Sequence, residues 1–271
     1  MFLRVFSTSL LALSLTPCAF AQSVPINHEV SVGFADVRDA DDNFVGVSYS
    51  YYLESVDIDE QPWTISPYLQ RTNKVSVDYF GIDNLDAINV NGEWFYSNSL
   101  VLRGRYGSVA NDSRNYEETL HRFGLDVSTF ANDHWEYGAG FDFYDYEESF
   151  FRSGDKITRS DDELSVSVFA RYTSFGKQMR SFTPGWDVQA RGTYFDDDLS
   201  IEIDANYYVK ANWSVGVSAI YENNDSFGSD NVIELGTDYW FNPHASIRFG
   251  LGYDTDDGNL GSATLLGTFR F

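Results

Sequence analysis

The chain has 271 residues, with 18 Lys+Arg against 41 Asp+Glu and a formal net charge of −23. That acid excess excludes a nucleic-acid binder, because phosphate binding needs a basic surface. With 22 Phe, 18 Tyr and 6 Trp under a mildly negative mean hydropathy, the composition departs from an ordinary soluble domain and suits a sheet with one lipid-facing and one wet face.

The first element is a processing signal. Arg4 gives a positive start, Val5 to Leu15 is an apolar run broken only by Ser and Thr, and Ala19-Phe20-Ala21 is an A-x-A cleavage site. Residues 1–21 are therefore expected to be a signal peptide, leaving 22–271 as one domain. The run is too short for a spanning helix. Cys18 raises lipidation, but Pro17 stands where a small residue is needed. Cys18 is the only cysteine, so the exported chain has no disulfide and needs another source of stability. A closed sheet with every backbone group paired supplies one.

Beyond Gln22 the chain shows period-two alternation over roughly ten residues, the length that a tilted strand needs to cross a bilayer. Trp63, Ile65, Pro67, Leu69, Val75, Val77 and Tyr79 share one parity, so residues 63–80 read as one long or bent strand. Trp135, Tyr137, Ala139, Phe141 and Phe143 form the next clear row. Rows follow at Trp186 to Tyr194, Leu199 to Tyr207, Trp213 to Tyr221, Ile233 to Phe241 and Ile247 to Tyr253. The chain ends on Ala263, Leu265, Gly267, Phe269 and Phe271 of one face.

Aromatics close the rows at both ends, as at two membrane interfaces. Tyr106, Phe143, Tyr172, Tyr194, Tyr221 and Tyr253 are expected in one girdle. Trp94, Trp135, Trp186, Tyr207, Trp213 and Phe241 are expected in the other. Short turns such as Asn132-Asp133 and Asn242-Pro243-His244 alternate with longer acidic stretches such as Glu222 to Asn231 and Glu147 to Glu163. Short periplasmic turns and long outer loops mark an outer-membrane barrel. Ser174 to Gly185 is an exception, long where a turn should be short. The fold expected is an all-β, transmembrane, antiparallel up-and-down β-barrel of about 14 strands, with 12 or 16 as alternatives.

The alternate, wet rows carry Arg103, Arg105, Arg122, Arg171, Arg191, Arg248 and Arg270. They also carry Asp126, Glu136, Asp142, Asp187, Glu202, Asp204, Glu234 and Asp238, with Asp78 and Glu93 beside them. In a barrel these charges either line water or pair with one another as a filling. Acidic clusters at Asp57, Asp59 and Glu60, at Asp161 to Glu163, at Asp196 to Asp198 and at Asp254 to Asp257 are placed in the outer loops. An acidic mouth concentrates cations. The stretch from Glu147 to Glu163 is the candidate for a loop folded into the pore.

No catalytic set emerges. His28, His121, His134 and His244 have no Ser or Asp at useful spacing, and Asp254-Thr255-Asp256-Asp257-Gly258 lacks the closing Glu of a calcium loop. The chain reads as no enzyme, with no metal and no cofactor.

The terminal strand, with Phe269 and Phe271 as its signal, resembles the closing strand that the outer-membrane assembly machinery reads. Tyr51-Tyr52-Leu53, Pro62, Tyr68-Leu69-Gln70-Arg71 and Val75-Ser76-Val77 are similar to a segment of small Gram-negative outer-membrane porins of marine-type bacteria. In those an aromatic pair, a Pro and a Phe-Leu-x-Arg run precede a Val-Ser-Val strand. Tyr68 replaces the Phe here, and Thr64-Ile65-Ser66 replaces a more acidic, Ala-rich run. The resemblance implies passive diffusion of small hydrophilic solutes and ions, and transfers no substrate. Expected partners are outer-membrane lipid and lipopolysaccharide, the assembly machinery and small solutes, for a monomer or homotrimer. A closed structural or adhesive barrel acting through its outer loops, and an outer-membrane enzyme, are the competing readings.

Overall fold

The computed structural model describes residues 25–271, apart from 38–42, 59–60, 83, 97–98, 114–115, 153–154, 177–180, 196–197, 225–227 and 257. The segment expected to be a signal peptide, with Cys18, lies outside the described residues. Fourteen strands close one antiparallel barrel in simple chain order. They are β1 (Ile26–Val37), β2 (Phe44–Val56), β3 (Lys74–Ile82), β4 (Leu85–Phe95), β5 (Leu100–Ser113), β6 (Tyr116–Phe130) and β7 (Trp135–Arg152). Then come β8 (Asp155–Thr173), β9 (Gly185–Phe195), β10 (Asp198–Lys210), β11 (Trp213–Asn224), β12 (Gly228–Asn242), β13 (Ala245–Asp254) and β14 (Asn259–Arg270). β14 closes on β1, with Glu29 opposite Arg270 and Val37 opposite Ser262.

The fold is inside-out relative to a soluble protein. Large apolar side chains such as Phe34, Tyr79, Leu125, Val168, Leu235 and Phe249 are exposed on the outer face, Val168 to 66 % and Leu235 to 63 %. Many buried positions hold Ser, Asp and Glu instead, among them Asp126, Glu136 and Asp142. Alternation arises because successive residues of a strand face lipid and lumen in turn. The aromatic rows sit at the two rims with one correction. Tyr172 packs on Trp135 at 4.9 Å, beside Trp186 on Tyr207 at 4.8 Å. It thus belongs to the rim near the termini, because β8 runs downward and its last residues end there.

Two further expectations change. The acidic stretches at the far end are strand rather than loop. β7 and β8 pair from Tyr144 opposite Glu163 up to Arg152 opposite Asp155, so this region stands as a ribbon. The residues beyond the bilayer keep their ladder because each added pair satisfies two backbone groups. Removing residues 152–161 should therefore leave unit conductance unchanged, as single-channel recording of the shortened protein can check.

The count of fourteen holds, but residues 63–80 are not one strand. Trp63–Ile65 forms a 3-10 turn and Ser66–Leu69 one turn of α-helix (α1), before β3 begins at Lys74. Pro67 cannot donate to a ladder, yet fits the first turn of a helix. The turn ends with Arg71 in the left-handed region at φ 58°. There its guanidinium lies 4.0 Å from the Phe130 ring centre and 3.6 Å from Asp133.

A lumen divided by charge and a segment that occludes it

Of the fourteen charged residues proposed as pore-lining, ten border two internal cavities, and Arg105, Arg122, Asp126 and Asp142 join them through ion pairs; together they form two walls. On β4–β9 the charges are consumed. Arg103 joins Glu93 and Glu136 at 2.5 and 2.6 Å. Arg105 joins Asp126 and Asp142 at 2.7 and 2.6 Å. Arg122 also meets Asp142, at 2.8 Å. Arg191 crosses two strands to reach Asp126 at 2.6 Å, and Arg171 pairs with Asp187 through two bonds of 2.9 Å. Five arginines thus face five carboxylates in one charge-balanced sheet of ion pairs. Arginine suits this wall because its planar fork can hold two carboxylates at once.

Glycine makes the network possible. A Cβ on Gly140 would lie 1.8 Å from Asp126 Oδ1, and one on Gly124 would lie 2.1 Å from Asp142 Oδ1. The carboxylates lie flat across neighbouring strands only because nothing projects there. Gly140→Ala should displace Asp126 and lower the unfolding temperature in detergent, while an alanine at the unobstructed Gly192 should not.

On β10–β13 the balance is different. Glu202, Asp204, Glu234 and Asp238 face the lumen, and Arg248 is the only arginine on these strands, 3.4 Å from Glu234. Lys210 lies at the terminal rim of β10. Asp204 accepts a hydrogen bond from Gln189, and Asp238 accepts one from Thr64. The second oxygen of Asp238 is buried with no partner among the described residues.

The largest connections lie at the end that carries the termini, not at the far end. One is the helical segment between β2 and β3, the other the stretch between β8 and β9 that broke the turn pattern. Asp57 lies in the first of these, so it is not part of the acidic far rim; Asp59 and Glu60 lie outside the described residues. The segment folds inward. Ile65, Tyr68 and Leu69 form a buried apolar cluster with Phe175 and Tyr208, flanked by Phe95, Phe130 and Phe182. The Arg171 guanidinium lies 3.5 Å from the Tyr68 ring centre. Burial raises the Tyr68 hydroxyl above its ordinary range, so it stays a neutral donor. Trp63 N–H donates to the Ala211 carbonyl across the lumen. The porin-like residues Tyr68 to Arg71 and Pro62 thus form the occluding segment, and Tyr52 of the aromatic pair donates to Glu29 at its edge.

Space remains beyond the segment. A cavity of about 240 Å³ lies between Thr64-Ile65 and the β9–β13 wall, lined by Asp187, Asp204, Glu234 and Asp238 among others. A second, of about 330 Å³, runs past Arg103, Arg191 and Glu202. The calcium-like turn is already used: Asp256 accepts bonds from Asn231, and its own N–H donates to Asp254. Three histidines are structural. His134 and His244 bond backbone carbonyls of Thr173 and Arg270, and His28 stacks on Phe271. His121 stacks on Tyr106.

Comparison with solved structures gives the outer-membrane protein Omp33 of Acinetobacter baumannii at TM-score 0.69 and 18% identity, covering 92% of this chain and 100% of that one. The CymD monoaromatic hydrocarbon channel follows at TM-score 0.50 and 11% identity, covering 92% and 89%. At these identities the likeness concerns the fold. No curated protein matches the sequence. The family model described as "Putative general bacterial porin" matches residues 2–271. With that match over nearly its whole length, the chain belongs to this porin family and is an outer-membrane channel protein.

Proposed function

We propose that the barrel passes small hydrophilic solutes and ions by passive diffusion, with a weak preference for cations. The observation that carries the preference is the unequal neutralisation of the two walls. Paired charges of β4–β9 cancel at a distance, whereas Glu202, Asp204 and Asp238 form no ion pair with an arginine among the described residues. Unneutralised carboxylates beside a narrow water path raise local cation concentration and repel anions. The acidic far rim adds to the same field.

The test is a planar-bilayer recording of refolded 22–271 under a salt gradient. A cation-selective reversal potential is expected. In Glu202→Gln/Asp204→Asn the cation-to-anion permeability ratio should fall by roughly half; an unchanged ratio would place selectivity elsewhere.

A second reading, a closed barrel that acts through its outer surface, draws support from the occluding segment. It predicts no conductance steps even when that segment is removed. In either case we propose export from a Gram-negative inner membrane with cleavage after Ala21, assembly through Phe269 and Phe271, and residence among lipopolysaccharide as a monomer or homotrimer.

A further inference from the structure

We propose that Arg270, the last inward residue of the closing strand, is the latch that holds the occluding segment in the lumen. The inference builds on the channel reading, and its test is chosen to stand apart from it. Arg270 is 3% exposed. Its Nε donates to Glu29 on β1 at 2.5 Å, and one terminal nitrogen donates to the Trp63 carbonyl at 2.6 Å. The same guanidinium lies 4.2 Å from the Trp240 ring centre. Trp240 Nε1 in turn donates to Thr64 Oγ1 at 3.0 Å. One side chain therefore ties β14, β1 and β12 to consecutive residues of the segment.

Only arginine meets these demands together. It needs a donor toward a carboxylate, another toward a carbonyl and a flat face for the indole. Without it the Trp63 carbonyl loses a charge-assisted partner in a buried site. The latch is also assembled last. Glu29 and Arg270 stand opposite each other in the β1–β14 register, so they meet only when the barrel closes. Tyr68, by contrast, packs on Phe95, Phe130 and Arg171, which belong to β4, β6 and β8 and are in place without the seam. Occlusion is thus completed by closure: the Tyr68 end seats first, and the Trp63-Thr64 end locks when β14 pairs with β1.

The readout is the reactivity of a thiol at Ile65, 9% exposed beside the latch, toward a water-soluble maleimide. Cys18 is the only natural cysteine, so Ile65→Cys in the chain from residue 22 is the single label site. Adding Arg270→Ala should speed labelling about tenfold or more, the worth of one charge-assisted hydrogen bond. Arg270→Lys should fall between. Heat-modifiable gel mobility shows that each barrel is folded. Should Arg270→Ala fail to close, Trp240→Leu decides, because it removes the ring and the Thr64 donor but leaves the seam pair. An unchanged labelling rate in the folded variant overturns the latch. Labelling needs no conductance, so a barrel that never conducts would sink the channel reading and leave this result standing.

Discussion

Replacing residues 62–71 with a short Gly-Ser linker should raise the unit conductance several-fold and lengthen the open time. The segment carries Ile65, Tyr68 and Leu69 into the lumen, and its removal merges the space beneath it with the cavities of about 240 and 330 Å³ above. A single substitution gives a graded version. Tyr68→Ala deletes a buried ring that touches Phe95, Phe130 and Arg171. Loss of such a ring weakens seating by about 3 kcal/mol, which shifts the balance of seated and unseated forms roughly a hundredfold. Both variants are read in a planar bilayer against the parent protein. A linker variant that conducts like the parent would show that the constriction lies elsewhere in the lumen.

The second large effect concerns stability. Asp126 is 1% exposed and holds two arginines, Arg105 at 2.7 Å and Arg191 at 2.6 Å. Asp126→Ala leaves Arg191 with the Ser167 hydroxyl and unbalances the wall. Breaking a buried pair by removing one partner costs about 3–5 kcal/mol, because the other charge stays desolvated. The urea midpoint of unfolding in lipid vesicles should fall accordingly. Glu202→Ala, on the less neutralised wall, should move it by no more than about 0.5 kcal/mol. Equal shifts for the two variants would mean that the wall's ion pairs carry no special weight.

The strands were legible because lipid and water divide the side chains by parity. Parity survives any error in strand ends, which is why the charged rows read from the sequence fall together on one face of the sheet. It could not reveal which charges meet. Arg191 reaches Asp126 across 65 positions of sequence, a contact set by the stagger of strands around the barrel. It also misled at residues 63–69, where Trp63, Ile65, Pro67 and Leu69 keep strand parity through a helical turn. Pro67 was the available signal, since a proline is out of place in a central strand. The overlong Ser174–Gly185 connection was the other: it broke the turn pattern because Phe175 and Phe182 leave the rim to pack in the occluding cluster. At the far end, charge and turn residues suggested loops where paired ribbons continue.

Those ribbons give the barrel an uneven height. β3 has 9 residues and β8 has 19, a difference of ten that corresponds to about 30 Å along the strand. The tall side is a screen of β6, β7 and β8 with Tyr116, Tyr146 and Glu148 on its inward face, and the low side is the β3–β4 hairpin. The entrance is therefore a scoop rather than a ring. A bulky molecule is turned back on one flank, while a small one approaching over the low lip passes beside the carboxylates of the screen, a quarter turn round the barrel, before it reaches the lumen.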